Sequence, residues 1–589
     1  MPFNFNLKKI NLVKFFSVFV LVLLFSFFVV TKVSAVTEDD CLNKDPKTLN
    51  VGDQNDCINN VIPGIIAKYA PAQEANKKNL AGLQSQLSNL NSQIIAIGAQ
   101  LKKFEAQIVD REEELAFTKE IFEEKTSNHY RFLRTYDPIS PFLANDASEA
   151  FREIMFRQRA ADKDRSSIDA YATDLVRLKL DKEGLEKNKT SLAAVQKQVG
   201  EKTSFLSSEV AKVDQYLASL SAKQQAFIAA KLESLGISRS AYNLKGGCSS
   251  DIDPFKSPGF SPAIGFFSFG VPNRIGLNQF GAKGRAEAGQ NYQQILQAYY
   301  SAEISTGYQT GVNITVSGNN EFGQGFGDTW NIDEYLKHLY EMPASWPMEA
   351  LKAQAVAARS YALAYTNNGA NSICATQQCQ VVKRELNDSR WQQAVQETSG
   401  VVLTSGGAPA KAWYSSTHGG YVFTSADIGW SSTAWTKRAV DATSSVGGFS
   451  DIQNNAYDKS SPVFYCDWGG RSAYNGTAWL TSEEVADIAN VVLLAKRNPS
   501  SKPHLYQVDK PNPEGTDTWD AARVRQELGG DAVTNGSDVS VSADFGTGRT
   551  TSVNIGGRSF DAGEFKDYFN IRAPSNIQIV GPLFNIEKR

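Results

Sequence analysis

The chain carries no excess of charge of either sign. Over 589 residues the formal net charge is −3. That removes the bulk electrostatic footprint of a nucleic-acid binder, and no nucleic-acid partner is expected. Histidine is scarce, with four in all, so a histidine-bearing site has few places to be. Proline is absent between Pro71 and Pro138, which excludes the commonest helix breaker there. The back half of the chain shows no internal repeat, which excludes a solenoid.

What is present divides the chain. Its length suggests three to four domains. Lys8, Lys9 and Lys14 precede an apolar run over residues 15–30, and Val33-Ser34-Ala35 comes next as a small-residue cleavage signature. This is the layout of a secretory signal, with an uncleaved anchor helix as the alternative. Either way the lysines stay inside and the body is extracytoplasmic, secreted or membrane-anchored at the cell envelope. An even count of six cysteines suits an exported, disulfide-bonded chain. Cys41 with Cys57 and Cys374 with Cys379 are the simplest local pairs, leaving Cys248 to meet Cys466. Fifteen pairings are possible. Zinc held by Cys374, Cys379 and a histidine such as His418 is the rival reading, weakly supported by a C-x4-C spacing.

Residues 36–71 read as a polar, cysteine-bracketed segment. From Gln73 the pattern changes. Leu80, Leu83, Leu87, Leu90, Ile94, Ile97, Leu101, Phe104 and Ile108 recur at alternating steps of three and four, one stripe of a helix. Prolines at 138 and 141 break it. A second helical stretch from about Ala147 to Leu235 carries Leu185, Leu192, Val195, Val199, Leu206, Val210, Val213, Leu217 and Leu220. The two stretches, residues 72–235, predict an antiparallel coiled coil whose arms reach on the order of 90 Å. Phe142, Leu143, Phe151, Ile154, Met155 and Phe156 cluster near the bend as a hydrophobic tip, either a partner-binding site or a small local core. Such long seams also pair between chains, so a homodimer is open. Residues 236–264, broken by glycines and prolines, read as a linker. Residues 265–589 alternate helical with short strand patterns, a compact mixed α and β domain. The fold class is therefore α+β.

Residues 331–361 carry the chemistry. Ile332, Tyr335, Leu336 and Leu339 form the apolar face of a first helix, which Pro343 stops. Ser345 or Trp346 caps a second helix, Pro347 suits its first turn, and Glu349 complements its dipole. Alanines at 350, 353, 355, 357, 358, 362 and 364 predict a helix buried at the domain's centre. It ends near Asn367-Asn368-Gly369. Glu341 lies in the turn before this helix, beside Met342-Pro343. Desolvation there raises a carboxyl pKa, whereas a helix N-terminus or pairing with Lys337, Lys352 or Arg359 lowers it. A general acid needs the first effect to win.

The run Glu341-Met342-Pro343 through Leu351-Lys-Ala-Gln-Ala-Val-Ala-Ala-Arg359 resembles the signature of the SpoIID family, named for stage II sporulation protein D. Further blocks resemble that family: residues 396–403; Ala412-Trp-Tyr-Ser-Ser-Thr-His-Gly-Gly420; Gly276-Leu-Asn-Gln-Phe-Gly-Ala282 with residues 292–300; and the tail, 565–585. The glycine-rich block precedes the Glu motif, whereas in many relatives it comes after. Asn273 and Ser415 stand where the family often has histidine, so a histidine's role there is lost or has moved to His418. The resemblance implies a SpoIID-like domain whose catalytic acid is Glu341. It implies a peptidoglycan lytic transglycosylase that needs no cofactor, acting on glycan strands already stripped of stem peptides. Ser415, Ser416, Thr417 and His418, and less directly Gln279 and Arg359, are the expected sugar-binding residues. Tyr340, Trp346 and Trp413 are candidates to stack on sugar faces, with plain core packing as the alternative for each. The helical hairpin resembles the coiled coils of the cell-division regulators EnvC and PcsB, implying docking on a membrane division complex or a wall amidase. The same family includes amidase enhancers such as LytB, so a non-catalytic glycan binder is the alternative. A structural wall tether is a third.

Overall fold

The structure is a computed structural model that describes residues 36–49, 51–135, 147–234, 240–243, 248–250, 255–271 and 273–589. Residues 1–35, where a leader or anchor is expected, and residues 136–146, where the bend with Phe142 and Leu143 is expected, lie outside the described residues, as does part of the stretch 236–264. No helix among the described residues is long and apolar enough to cross a membrane. The chain divides into two compact units, Ala70–Tyr216 and the remainder.

The first unit is built from two helices, α1 (Ile62–Thr135) and α2 (Ala147–Ser234). Helix α1 begins well before Gln73 and carries Pro71 inside it, so that proline marks no boundary. Contacts across the pair fix its direction. Gln73 Nε2 donates to the Val210 carbonyl at 2.7 Å, Lys182 pairs with Glu105 at 3.3 Å, and Lys125 pairs with Asp164 at 2.7 Å. One number rises as the other falls, so the helices are antiparallel. Exposed ion pairs add little stability; the seam is apolar, with Leu101, Ile108 and Val210 among its least exposed members. Val195 departs from the expected stripe and is exposed. Gln196 takes the inward position instead and bonds Asn91, because steps of four then three from Leu192 fit the seam. Phe151, Met155 and Phe156 are exposed.

In the second unit, Thr37 caps the short helix Glu38–Asn43, and the Cys41–Cys57 disulfide staples that helix to the turn Cys57–Val61. Strand β1 (Ile264–Phe269) is buried at every position, as a nearly unbroken apolar run requires. It lies between two antiparallel neighbours, Tyr465–Cys466 and Phe584–Lys588. Cys466 is bridged to Cys248. Next along the chain are helices α3 (Gln279–Glu287) and α4 (Tyr292–Tyr299), each with an asparagine N-cap. Strand β2 (Asn313–Asn319) pairs antiparallel with β3 (Thr329–Asn331) and parallel with Ser372–Cys374.

Helix α5 (Ile332–Lys337) buries Ile332, Tyr335 and Leu336. It ends ahead of Pro343. Helix α6 (Met348–Tyr365) has Pro347 at its N-cap, with no side-chain cap from Ser345 or Trp346. It is buried from Ala350 to Leu363 apart from Lys352. Its alanines let α3, α4 and the helix Ser389–Glu397 pack closely. Asn367, Asn368 and Gly369 all take positive φ just past its end. A second apolar cluster joins the helices Ser482–Arg497 and Ala562–Arg572 to a three-stranded antiparallel sheet over residues 539–561.

Candidate active site around Glu341

Glu341 is presented by the turn between α5 and α6. The turn is pinned by strand-like pairing: Tyr340 N–H donates to the Val381 carbonyl at 2.9 Å, and Leu339 bridges Val382. That places the Val381 N–H 2.7 Å from Glu341 Oε1. The Tyr414 hydroxyl donates to the same oxygen at 3.1 Å. Tyr414 also accepts from Gln380 Nε2 at 3.0 Å, and Gln380 Oε1 accepts from Tyr335 at 2.7 Å. The carboxyl thus ends a buried relay of hydroxyl and amide groups.

Glu341 is 3% exposed. Burial pushes its pKa up from an ordinary 4.5 to about 7, against the lowering effects of the Val381 N–H, the Ser240 hydroxyl and Tyr414. The cations within sequence reach are engaged elsewhere: Lys337 with Glu334, Lys352 with Glu349 and Glu397, Arg359 with Asp333. A protonated carboxyl near neutral pH is therefore what the surroundings favour, the state a general acid needs. The space before it is small, about 20 Å³, room for a water molecule. It is lined by Gln225, Ser240, Tyr361, Gln377, Gln378, Cys379, Trp413 and Tyr414 beside Glu341 itself. Among the described residues, this space beside Glu341 is too small for a sugar ring.

The other expected site residues are placed differently. Ser415, Ser416, Thr417 and His418 are fully buried and face no open space in this conformation. Their polarity serves the interior, where each polar group needs a partner. Ser415 Oγ donates to the Asn273 carbonyl at 2.6 Å and meets His418 Nε2 at 3.0 Å. Asp458 accepts from Thr417 Oγ1 at 2.7 Å and from the backbone N–H groups of His418, Gly419 and Gly420 at 2.8–3.1 Å. Burial, then the charge of Arg274, hold the His418 imidazole neutral, its pKa well below the usual histidine range.

Arg359 is likewise internal, 1% exposed. Its Nε sits 2.9 Å from Asp333, and its other nitrogens donate to the Val401 and Val395 carbonyls at 3.1 Å. Its role is to clamp α6 to α5 and to the strand that begins at Val402. Cys374 and Cys379 form a disulfide, so neither offers a thiolate to zinc. They hold the loop that carries Gln377 and Gln378 to the cavity. No cluster of three metal-ligating side chains occurs among the described residues.

Gln279 is linked to the Glu341 turn through Ala241. It is fully buried at the start of α3, and its Oε1 accepts the Ala241 N–H at 2.8 Å. The glycine-rich and hydroxyl-rich blocks, far apart in sequence, meet as parallel strands: Leu277 pairs with Tyr414, and Asn278 with Ser415. Gly276, with φ +70°, permits that approach, since a Cβ there would lie 1.9 Å from the Trp413 carbonyl oxygen. Of the aromatic candidates, Trp346 packs edge-on against Phe280 and Trp413 stacks on Trp435. Tyr340 is met by Tyr242.

Reading from sequence passes over Tyr414, Gln380 and Val381. Strand alternation supplies a signal for Tyr414: neighbours on a strand face opposite ways, so Tyr414 and Ser415 cannot share one site.

Residues 327–405 match the family model described as Stage II sporulation protein, SpoIID. The chain is 43% identical over 93 residues to a Bacillus subtilis protein named "Amidase enhancer", a stretch covering 16% of this chain and 13% of that one. It is 53% identical over 45 residues to an uncharacterised protein of Brachyspira hyodysenteriae, 7% of this chain and 12% of the relative. The chain thus spans about an eighth of the length of each curated relative it matches. No solved structure matches it significantly. The chain carries a domain of the SpoIID/LytB family.

Proposed function

We propose that this domain is a peptidoglycan lytic transglycosylase acting at the cell envelope, with Glu341 as its single acid–base group. The observation that carries the reading is a buried carboxyl with no ion-pair partner among the described residues, its pKa raised to about 7. In this reaction the protonated carboxyl gives its proton to the oxygen bridging N-acetylmuramic acid and N-acetylglucosamine as that bond to the anomeric carbon breaks. The carboxylate so formed takes the proton from the muramic acid 6-hydroxyl, whose oxygen closes on the same carbon. A 1,6-anhydro end results, no water is consumed, and Glu341 regains its proton. A second carboxylate, which ordinary glycoside hydrolysis uses to activate water or form a covalent intermediate, is not required. Tyr414 and the Val381 N–H stabilise the intermediate carboxylate from one side and hold it in one orientation.

The test is incubation of the full chain with glycan strands lacking stem peptides, with mass spectrometry of the products. Anhydro-ended fragments that vanish with Glu341→Gln support the reading. Their absence from the unaltered chain and from variants that expose Glu341, together with retained glycan binding, overturns it. That outcome favours a non-catalytic glycan binder that stimulates a separate hydrolase. Two observations incline toward this second reading: the name of the Bacillus subtilis relative and the near-complete cover over Glu341.

A further inference from the structure

The stretch before β1 reads as a linker, yet part of it is built into the interior. Ser240 and Ala241 are 3% and 5% exposed. Ser240 Oγ donates to the Glu341 carbonyl at 2.9 Å, and the Tyr242 N–H donates to the same oxygen at 3.1 Å. The Ala241 N–H occupies Gln279 Oε1 at 2.8 Å. The Tyr242 ring meets Tyr340 edge-on at 5.0 Å, with Lys383 Nζ 3.2 Å from the Tyr242 hydroxyl and 4.7 Å from its ring centre. Gln225, near the end of α2, lines the same small cavity, and its Nε2 is buried with no hydrogen-bond partner among the described residues.

Glu341 and Gln279, two residues singled out for the reaction, are therefore engaged by one run of three residues. That run offers a hydroxyl and backbone N–H donors, the same type of donor that sugar hydroxyls and acetamido groups present. Among the described residues it is held by hydrogen bonds, the buried Ala241 methyl and the contacts of Tyr242 with Tyr340 and Lys383. Contacts of this kind close the site and can be exchanged for those of a ligand.

We propose that Ser240, Ala241 and Tyr242 form an intramolecular plug that occupies the glycan position beside Glu341 and must leave before a strand binds. The identity of the displaced ligand rests on the transglycosylase reading; the closure itself does not.

Two variants of the full chain test this. Ala241→Glu puts a carboxylate where a methyl group is buried, and Tyr242→Ala removes the ring that rests on Tyr340 without adding a charge. Glu341 accessibility is read by carbodiimide-driven amine coupling and peptide mass spectrometry, independently of activity. Thermal unfolding identifies a variant that has lost its fold, and the other is then read alone. The expected result is at least a ten-fold rise in Glu341 labelling and a comparable rise in anhydro product. Unchanged labelling in a folded variant overturns the plug, as does, where the unaltered chain makes product, an unchanged product rate. Increased labelling with no product from any form keeps the plug and removes the transglycosylase reading.

Discussion

Replacing Glu341 by glutamine should make the protein more stable above neutral pH. In the folded chain burial raises the carboxyl pKa to about 7, from an ordinary 4.5. Below pH 4.5 both folded and unfolded forms hold the proton, and the group contributes no pH dependence. Between 4.5 and 7 the unfolded chain releases it while the folded chain keeps it, so stability falls as pH rises. Above 7 both are ionised and a constant penalty remains, about 3 kcal/mol if the whole rise is realised. Glutamine cannot ionise, and its side-chain oxygen can still accept from the Val381 N–H and Tyr414. Glu341→Gln should therefore match the unaltered chain at pH 4 and exceed it by up to about 3 kcal/mol at pH 8. For a unit of this size that is on the order of 3 °C in Tm. Thermal unfolding of both proteins across that range is the assay. A difference that does not change between pH 4 and 8, or that favours glutamate at high pH, would refute the claim that the carboxyl is desolvated and unpaired.

Arg359→Ala should act on stability and not on glycan affinity. It strands Asp333 and removes donors from two buried carbonyls, which costs about 3–5 kcal/mol; thermal unfolding should show the loss, and any remaining activity should keep its KM. Tyr414→Phe removes a donor that favours the ionised carboxylate, so the Glu341 pKa should rise further. The basic limb of the pH–rate profile should move to higher pH, and an unmoved limb would place Tyr414 outside the relay.

The fold is legible where one segment suffices to define an element. Alanines at close intervals mark α6 as an inner helix, and Asn367-Asn368-Gly369 marks its end because those residues accept positive φ. The seam of α1 is readable from spacing alone. Val195 is misplaced by spacing because steps of three and of four are equally allowed, and only the facing helix chooses between them. The run from Ser415 to His418 misleads for a different reason. Four polar side chains in a row suggest a wet surface, yet their partners, Asp458 and Asn273, lie far away in sequence. Local reading cannot supply those partners. Arg359 obeys the same logic through Asp333. Glu341 is identifiable by its motif, but the cover over it is not. Ser240 to Tyr242 have the composition of a connecting loop, and their significance arises only from the backbone oxygen and amide they meet.

The raised pKa and the plug are not independent. Ser240 lines the space beside Glu341 and so shares in its desolvation, although its hydroxyl pulls the carboxyl pKa the other way. When the plug leaves, water enters and the carboxyl must drift back toward its ordinary range. An empty open site would then hold an ionised glutamate, unable to donate a proton. On the transglycosylase proposal, the incoming glycan must do what the plug did: cover the carboxyl, exclude water and restore the protonated form at the moment the bridging oxygen arrives. The same argument ties the pH window of the glutamine substitution to the closed chain. In an Ala241→Glu background that window should narrow, because the charge it reports on is no longer held away from water. A carboxyl whose proton depends on whichever group covers it is inactive when the site is open and empty, which suits the proposed wall-cutting activity.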